Sequence, residues 1–314
     1  MGTADNVADG RAGLTLGPLL FHWPAETRRD FYFRIADEAA VDTVYLGEVV
    51  CSKRAPYFEA HVAEVADRLQ AGGKRVVYST LAEVMSRLDL QVAESVAGAG
   101  EVFVEANDAS ALWFLDGRPH AIGPFVNTYN EDTLAFLAGN NATHVTLPPE
   151  LPKASVAVLG QAARDLGVTL EVQVYGRVPL ALSARCYHAR AHGRIKDTCR
   201  FVCEEDPDGI DLKTLDGRSF LAVNGIQTLS HPCLNLLHEL DGLRGMGIAA
   251  FRLSPHSGDM VEVARLFRAV LDGAMTPQEA TRRLARTGPD LPFADGFYHG
   301  AEGYSWSREP EPAL

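Results

Sequence analysis

The chain has 314 residues, 46% of them hydrophobic and 22% charged, with a net charge of −12 at pH 7. That length holds one large α/β domain or two ordinary ones, and no apolar run approaches a membrane span. The acidic balance argues against general nucleic-acid binding, DNA included, which needs a basic footprint.

The first 12 residues are polar and acidic and lack the basic start and apolar core of a signal peptide. They are expected to form a disordered leader ahead of a single domain over 13–314. Residues 13–24 read as a buried strand and loop, and Glu26–Ala40 as a helix. Asp42–Val49 is a second strand, ending just before Cys51. Phe58, Val62, Val65, Ala66 and Leu69 fall on one helical face, Gly72-Gly73 stops that helix, and Lys74–Ser79 is the third strand. Thr80 and Glu83 make a T-x-x-E capping-box pattern that predicts a helix start.

Glu101–Ala106, His120–Asn127, His144–Leu147 and Thr169–Tyr175 continue as strands four to seven. Helices are expected after Asp108 or Ser110, over Glu131–Ala138 and over Ser155–Leu166. From Gly176 to about His231 the strand–helix rhythm breaks. Inside this insertion, Gly209–Leu215, the Asp216-Gly217 turn and Arg218–Val223 predict a hairpin. The rhythm resumes with a helix over Leu234–Gly245, a strand over Ile248–Leu253 and a helix over Val261–Leu271. A last helix opens at Thr276-Pro277-Gln278-Glu279, with cap, proline and glutamate in place.

About eight alternations predict a parallel α/β fold: a (β/α)8 TIM-barrel-like domain with an insertion after the seventh strand, at about 176–231. An open doubly wound sheet is the alternative, but no G-x-G-x-x-G follows the first strand.

The insertion carries Cys186, Cys199 and Cys203, spaced C-x12-C-x3-C, in an Arg- and His-rich stretch. Active sites of such barrels lie where strands end and βα loops begin. Cys51 follows the second strand, so all four cysteines are expected on one barrel face. Five cysteines without an export signal predict a reducing, cytoplasmic compartment, where thiols serve as ligands, reactive groups or buried hydrophobes rather than disulfides. Four thiolates suit zinc or an iron–sulfur cluster. Structural zinc usually takes two tight pairs; only Cys199 and Cys203 are close here, which favours a cluster, of the [4Fe–4S] or [2Fe–2S] type. Cys233, at the predicted start of an apolar helix, is expected to be a buried hydrophobe.

Peptidase chemistry would need a nucleophile with a base or a metal-activated water, and the chain has no G-x-S-x-G or H-E-x-x-H. Ser183 near His188 is the weak pair that remains. Glu48, Glu105, Asn107, Asn127, Tyr129, Arg177, Ser254 and His256 fall at or past predicted strand ends, where barrel chemistry sits. Arg177 is the one suited to a bidentate carboxylate contact. Arg185 and Lys196 flank cysteines and could offset a cluster's negative charge.

Gly176–Tyr187 (G-R-V-P-L-A-L-S-A-R-C-Y) and Lys196–Cys203 (K-D-T-C-R-F-V-C) resemble the core signature of the collagenase-like peptidase family, numbered U-32. Tyr45–Arg54 and Asp295–Gly300 also resemble it. The resemblance covers about Leu14 to Trp306. One early cysteine plus the C-x12-C-x3-C trio is similar to the UbiV-like branch, whereas the sister UbiU-like branch draws its cysteines from the second half of the chain. The resemblance implies a [4Fe–4S] cluster on Cys51, Cys186, Cys199 and Cys203. It also implies a heterodimer with a UbiU-like protein and oxygen-independent ring hydroxylation in ubiquinone biosynthesis. A lipid-binding accessory protein would present the quinone precursor, with prephenate as a suggested hydroxyl donor. Other members act on RNA bases, and a few are peptidases; both stand as alternatives, as does a non-catalytic assembly subunit.

Overall fold

The computed structural model describes residues 11–288 and 290–308. The expected leader lies, for residues 1–10, outside them. Arg11 and Ala12 are packed: Ala12 is buried and its carbonyl accepts from Arg268 Nη1 at 2.9 Å.

The first seven strands are each followed by a helix, with the insertion standing between the seventh strand and the last helices. β1 (Gly13–Leu16) precedes α1 (Ala25–Glu38), and β2 (Thr43–Gly47) precedes α2 (Ala55–Ala71). β3 (Arg75–Ser79) leads to α3 (Arg87–Ala97), and β4 (Val104–Ala106) to α4 (Ala109–Leu115). β5 (His120–Ile122), α5 (Glu131–Gly139), β6 (Ala142–Leu147) and α6 (Lys153–Leu166) follow, and then β7 (Thr169–Leu182). The insertion contributes α7 (Tyr187–Ala191), β8 (Ile210–Lys213), β9 (Ser219–Asn224) and β10 (Gln227–Asn235). The chain ends with α8 (Leu240–Gly245), β11 (Ile248–Leu253), α9 (Met260–Leu271), α10 (Pro277–Leu284) and β12 (Phe293–Ala294).

β1 to β7 pair in parallel, each with the next, and β11 pairs in parallel with both β1 and β7. The register Leu16↔Leu253↔Tyr175 closes the ring. The result is an eight-stranded parallel barrel wrapped by helices, as the alternation predicts, and the open sheet is excluded. The apolar face of α2, with Phe58, Val65, Ala66 and Leu69, and that of α9, with Met260, Val263, Ala264, Phe267 and Leu271, pack onto the barrel. No helix among the described residues is long and apolar enough to cross a membrane.

The strand expected over His120–Asn127 ends at Ile122, before a 3-10 turn over Pro124–Val126. Three further expectations need correction. Thr80 and Glu83 cap nothing. Thr80 is buried, and its hydroxyl accepts from Asn107 N at 3.0 Å, joining the ends of β3 and β4. α3 opens six residues later on Ser86, whose Oγ accepts from Asp89 N at 3.2 Å. Second, β7 does not stop at Tyr175. It runs on past the barrel rim to Leu182 and pairs antiparallel with β10. Third, that extension gives Leu234 and Asn235 a strand partner, so the expected helix over Leu234–Gly245 shrinks to Leu240–Gly245. Cys233 is therefore a strand residue, paired with Arg177 in β7 and Phe293 in β12. The hairpin forms as predicted, with its loop closed by Thr214 N to Arg218 O at 2.9 Å.

The insertion is tied down over the barrel mouth. Trp23 Nε1 donates to Pro207 O at 2.7 Å, Gln227 Nε2 to Leu20 O at 2.8 Å and Ser257 N to Asp208 Oδ1 at 3.0 Å. Leu20, Val49, Val50 and Ile226 form a small apolar core of their own beneath it, with Cys51 and Cys186 packed against it.

Candidate metal centre

Cys51, Cys186, Cys199 and Cys203 line one small cavity, together with Lys53, Arg54, His188, Lys196, Phe201 and Gly225. The β2–α2 loop supplies Cys51. Glu48 shapes that loop: its Oε1 accepts from both Val50 N and Cys51 N at 3.0 Å, and Arg28 lies 3.8 Å from its other oxygen. Ser52 donates to Asp89, whose other carboxylate oxygen accepts from Oγ of Ser86, the N-cap of α3, at 2.8 Å, so the loop is anchored on its far side as well. Cys186 stands at the start of α7, its Sγ accepting from Ala189 N at 3.4 Å. Cys199 and Cys203 flank a tight turn in which Arg200 (φ 51°) and Phe201 (φ 55°) both adopt left-handed backbone. Two adjacent non-glycine residues in that region store of order 1–3 kcal/mol each. The ring of Phe201 is held against Tyr57 and His22, at 4.5 and 5.7 Å between centroids.

All five cysteines are free thiols; Cys203 and Cys233 are buried, the others half-buried. Burial pushes the thiols of Cys51, Cys186 and Cys203 up, and Arg54 pulls against it at each of them. Arg54 is the main cation of the site. It is fully buried, donating from Nη2 to Asn224 Oδ1 at 2.7 Å and from Nη1 to Leu20 O at 3.3 Å. A guanidinium this deep needs a counter-ion. Its neighbours of opposite potential charge are Cys203, Glu48 and Cys51. Lys53 Nζ sits 2.8 Å from Lys196 O and 4.0 Å from Cys199 Sγ. His22 is pushed down to about 4, first by burial and then by Arg54 and Arg28, so it is neutral at pH 7.

A set of soft thiol donors with buried and half-buried cations behind it suits a metal centre whose thiolate-bound form is negative. Cys233 lies away from the cavity; burial pushes its thiol up to about 12, and it is an inert core residue, as expected.

The other predicted positions scatter. Glu105 and Asn107 lie inside the barrel, in a buried network that the sequence does not announce. Arg252 Nη2 donates to Glu105 at 2.6 Å, to Glu171 at 2.8 Å and to Thr146 at 2.8 Å, with its guanidinium 4.1 Å above the Tyr45 ring. Tyr45 and His144 also bond Glu171, at 2.8 and 2.9 Å. Burial pushes Glu171 up, but Arg252 and His144 outweigh it and hold the carboxyl well below the usual range. Arg177 is already committed: Nη1 donates to Ser230 O and His231 O at 2.9 and 2.8 Å, and Nη2 reaches Asp211 at 3.5 Å. It pins β7 to β10 rather than presenting a free fork. His256 Nε2 accepts from Arg177 N at 3.0 Å, and Ser254 N donates to Tyr175 O at 2.9 Å. Asn127 and Tyr129 are exposed, Tyr129 bonding Glu150. Arg185 is exposed outside the cavity, whereas Lys196 lines it. Ser183 and His188 do not pair: Ser183 Oγ accepts from Arg185 N at 3.3 Å, and His188 turns to Val223 O and Asp206.

Sequence reasoning missed Arg54, Lys53, Asn224 and Gly225. The first two stand directly after Cys51 in C-S-K-R, the one local signal that could have found them.

These features define a (β/α)8-barrel protein with four thiols gathered in one cavity above the barrel mouth. The profile of Peptidase family U32 matches residues 32–308, and the chain belongs to that family. Among solved structures it is similar to dihydropteroate synthase from Thermus thermophilus (13% identity, 84% of this chain and 93% of that one, TM-score 0.43). It is also similar to phospho-2-dehydro-3-deoxyheptonate aldolase from Thermotoga maritima (9% identity, 90% and 71%, TM-score 0.41). A third is the spore cortex-lytic enzyme SleL from Bacillus cereus (10% identity, 84% and 75%, TM-score 0.41). Similarities this distant bear on no activity.

Proposed function

We propose that this chain is the iron–sulfur subunit of an oxygen-independent ring hydroxylase of ubiquinone biosynthesis, a UbiV-like member of its family. Cys51, Cys186, Cys199 and Cys203 would hold a [4Fe–4S] cluster. The observation that carries the reading is the convergence of these four thiols, and not Cys233, on one cavity backed by the buried Arg54. A cluster ligated by four thiolates supplies electron transfer, since it leaves no metal position open to substrate. The chain's own residues do the rest. Glu48 and Asp89 fix the Cys51 loop, Arg54 and Lys53 balance negative charge at the sulfurs, and the Leu20–Val49–Val50–Ile226 core keeps water from below.

Tyr187, Ile195, Leu212, Leu215 and Phe220, all on the insertion, are exposed. These are the side chains a partner would cover in an assembly with a UbiU-like protein and an accessory protein that carries the lipid precursor; prephenate would be the hydroxyl donor in that assembly. Hydrolysis has less support, because Ser183 and His188 are turned apart.

Anaerobic purification followed by iron, sulfide and zinc assays tests the cofactor; equal iron and sulfide at the level of one [4Fe–4S] cluster per chain is expected, and zinc without sulfide refutes it. A strain lacking the chain should stop making ubiquinone without oxygen. Normal ubiquinone with missing hydroxylated bases in its RNA would assign the RNA chemistry instead.

A further inference from the structure

Beside the cysteine cavity lies a second group of metal-binding side chains that the cluster reading does not use. His188 and His192 stand one helical turn apart, at the start and the C-cap of α7, and Asp206 follows the turn that carries Cys203. His188 is fully buried. Its Nδ1 faces the carbonyl oxygen of Val223 at 3.2 Å. A carbonyl oxygen only accepts, so Nδ1 carries the hydrogen and Nε2 presents its lone pair. That lone pair looks toward Asp206 Oδ2, 3.0 Å away. Neither atom has a hydrogen-bond partner: the two are close but not aligned for N–H···O bonding. His192 Nε2 approaches the same carboxylate oxygen at 3.5 Å, and the two imidazoles are stacked, 5.3 Å apart and 9° from parallel. The three donor atoms all lie within 4.8 Å of one another.

We propose that His188, His192 and Asp206 form a divalent-cation site of the zinc type, separate from the four thiols. Two orphaned acceptors facing each other at 3.0 Å, one on a fully buried imidazole and one on a partly exposed carboxylate, are matched by a cation between them. Metal–ligand bonds of about 2.0–2.2 Å in a tetrahedron place donor atoms roughly 3.3 Å apart, and the observed 3.0 and 3.5 Å bracket that spacing. The hydrogen bond from the far ring nitrogen of His188 to a backbone carbonyl is the outer-shell support that metal-bound imidazoles use. His192 and Asp206 are each about one-third exposed, so the remaining coordination position opens to water. A cation here would clamp the helix that begins at Cys186 to the segment that leaves Cys203, and so hold three of the four cysteines in register from the His188 wall of the cavity.

The test uses the full chain, purified anaerobically, with iron determined first and zinc then added and exchanged by dialysis. One retained zinc per chain is expected, and X-ray absorption at the zinc edge should show nitrogen and oxygen neighbours at about 2.0 Å with no sulfur at about 2.3 Å. His192→Gln and Asp206→Asn, both at partly exposed positions, should weaken zinc binding at least tenfold with iron content and circular dichroism unchanged. Sulfur in the zinc shell, equal affinity in the His192→Gln variant, or no retained zinc would each overturn the site. Iron is measured independently, so failure of the cluster reading and failure of this one give different results.

Discussion

Gly225→Ala probes how tightly the cavity is built around Arg54. Gly225 has φ +64° and accepts from His188 N through its carbonyl. A Cβ there would lie 2.4 Å from Arg54 Nη2 and 3.4 Å from Val50 Cγ1. The substitution therefore carries two costs. Left-handed backbone for alanine costs about 1–2 kcal/mol. Moving the guanidinium breaks its bond to Asn224, a charge-assisted bond at 2.7 Å, for about 1.5–3 kcal/mol more. The total is about 2.5–5 kcal/mol. Gly217→Ala is the control: φ is +84°, but nothing lies within 4 Å of its Cβ, so only the backbone cost of about 1–2 kcal/mol applies.

For a chain of this size about 1 kcal/mol moves Tm by roughly 2 °C. Gly225→Ala should melt about 5–10 °C below wild type and Gly217→Ala about 2–4 °C below. Placing Gly225→Ala in an Arg54→Met background removes the group it strikes, and the cycle should show coupling of about 2 kcal/mol. Equal losses in Gly225→Ala and Gly217→Ala, or no coupling to Arg54, would refute the geometry. Full iron content in Gly225→Ala despite the displaced guanidinium would refute the role of Arg54 as counter-charge.

Arg252→Met leaves Glu105 and Glu171 buried without their cation and should cost about 3–5 kcal/mol in urea denaturation; a loss under about 1 kcal/mol would show that the network has another source of compensation. His256 is pushed down to about 4 by burial, with Arg177 adding to the shift and Asp208 opposing it. Its contribution is complete above its unfolded pKa near 6.5 and is lost as pH falls toward 4, about 3 kcal/mol in all. His256→Gln should flatten the fall in stability between about pH 7 and pH 4.5, and an unchanged slope would contradict the assignment. Cys51→Ala should lose iron as fully as Cys199→Ala, whereas Cys233→Ala should keep it and cost about 1 kcal/mol of stability; the reverse pattern of iron would mean a different ligand set. Arg200→Gly relieves one of the two left-handed residues in the Cys199–Cys203 turn and should leave the metal-free protein level or up to about 1 kcal/mol more stable by urea midpoint, with a clear loss arguing against strain there.

The barrel was legible because its signals are local. Short apolar strands alternate with helices whose buried residues recur at helical spacing, and the caps at Asp108 and Thr276 are side-chain-to-backbone bonds within one turn. The grouping of four cysteines was legible for a related reason: strand ends share a face in this fold, so a cysteine after β2 and three after β7 must lie on one side. What was not legible depends on contacts distant in sequence. Thr80 looks like a cap until Asn107 claims its hydroxyl. The run around Cys233 is apolar enough for a helix or a strand, and only the continuation of β7 decides for strand. Arg252, Glu105 and Glu171 come from three strands, up to 147 residues apart, and nothing in their local sequence says they will meet.

The interior network also bears on where chemistry can sit. In this barrel Arg252 lies between Glu105 and Glu171 at full burial, and Tyr45, Thr146, His144 and Ser79 bond the two carboxylates. Most donors and acceptors of that centre are taken up by one another, Arg252 Nε and Asn107 Oδ1 excepted. Reactive groups are displaced upward, to the rim, where the β2 loop and the prolonged β7–β10 hairpin meet. There the balance is reversed: Arg54 is buried with no hydrogen-bonded carboxylate, burial pushes the thiols of Cys51, Cys186 and Cys203 up, and the Cys199–Cys203 turn is strained. Such a site is completed by something that removes the thiol protons and brings negative charge to Arg54. The proposed thiolate-bound metal centre would do both at once, and that asymmetry between interior and rim favours the four cysteines over the barrel interior as the place for it.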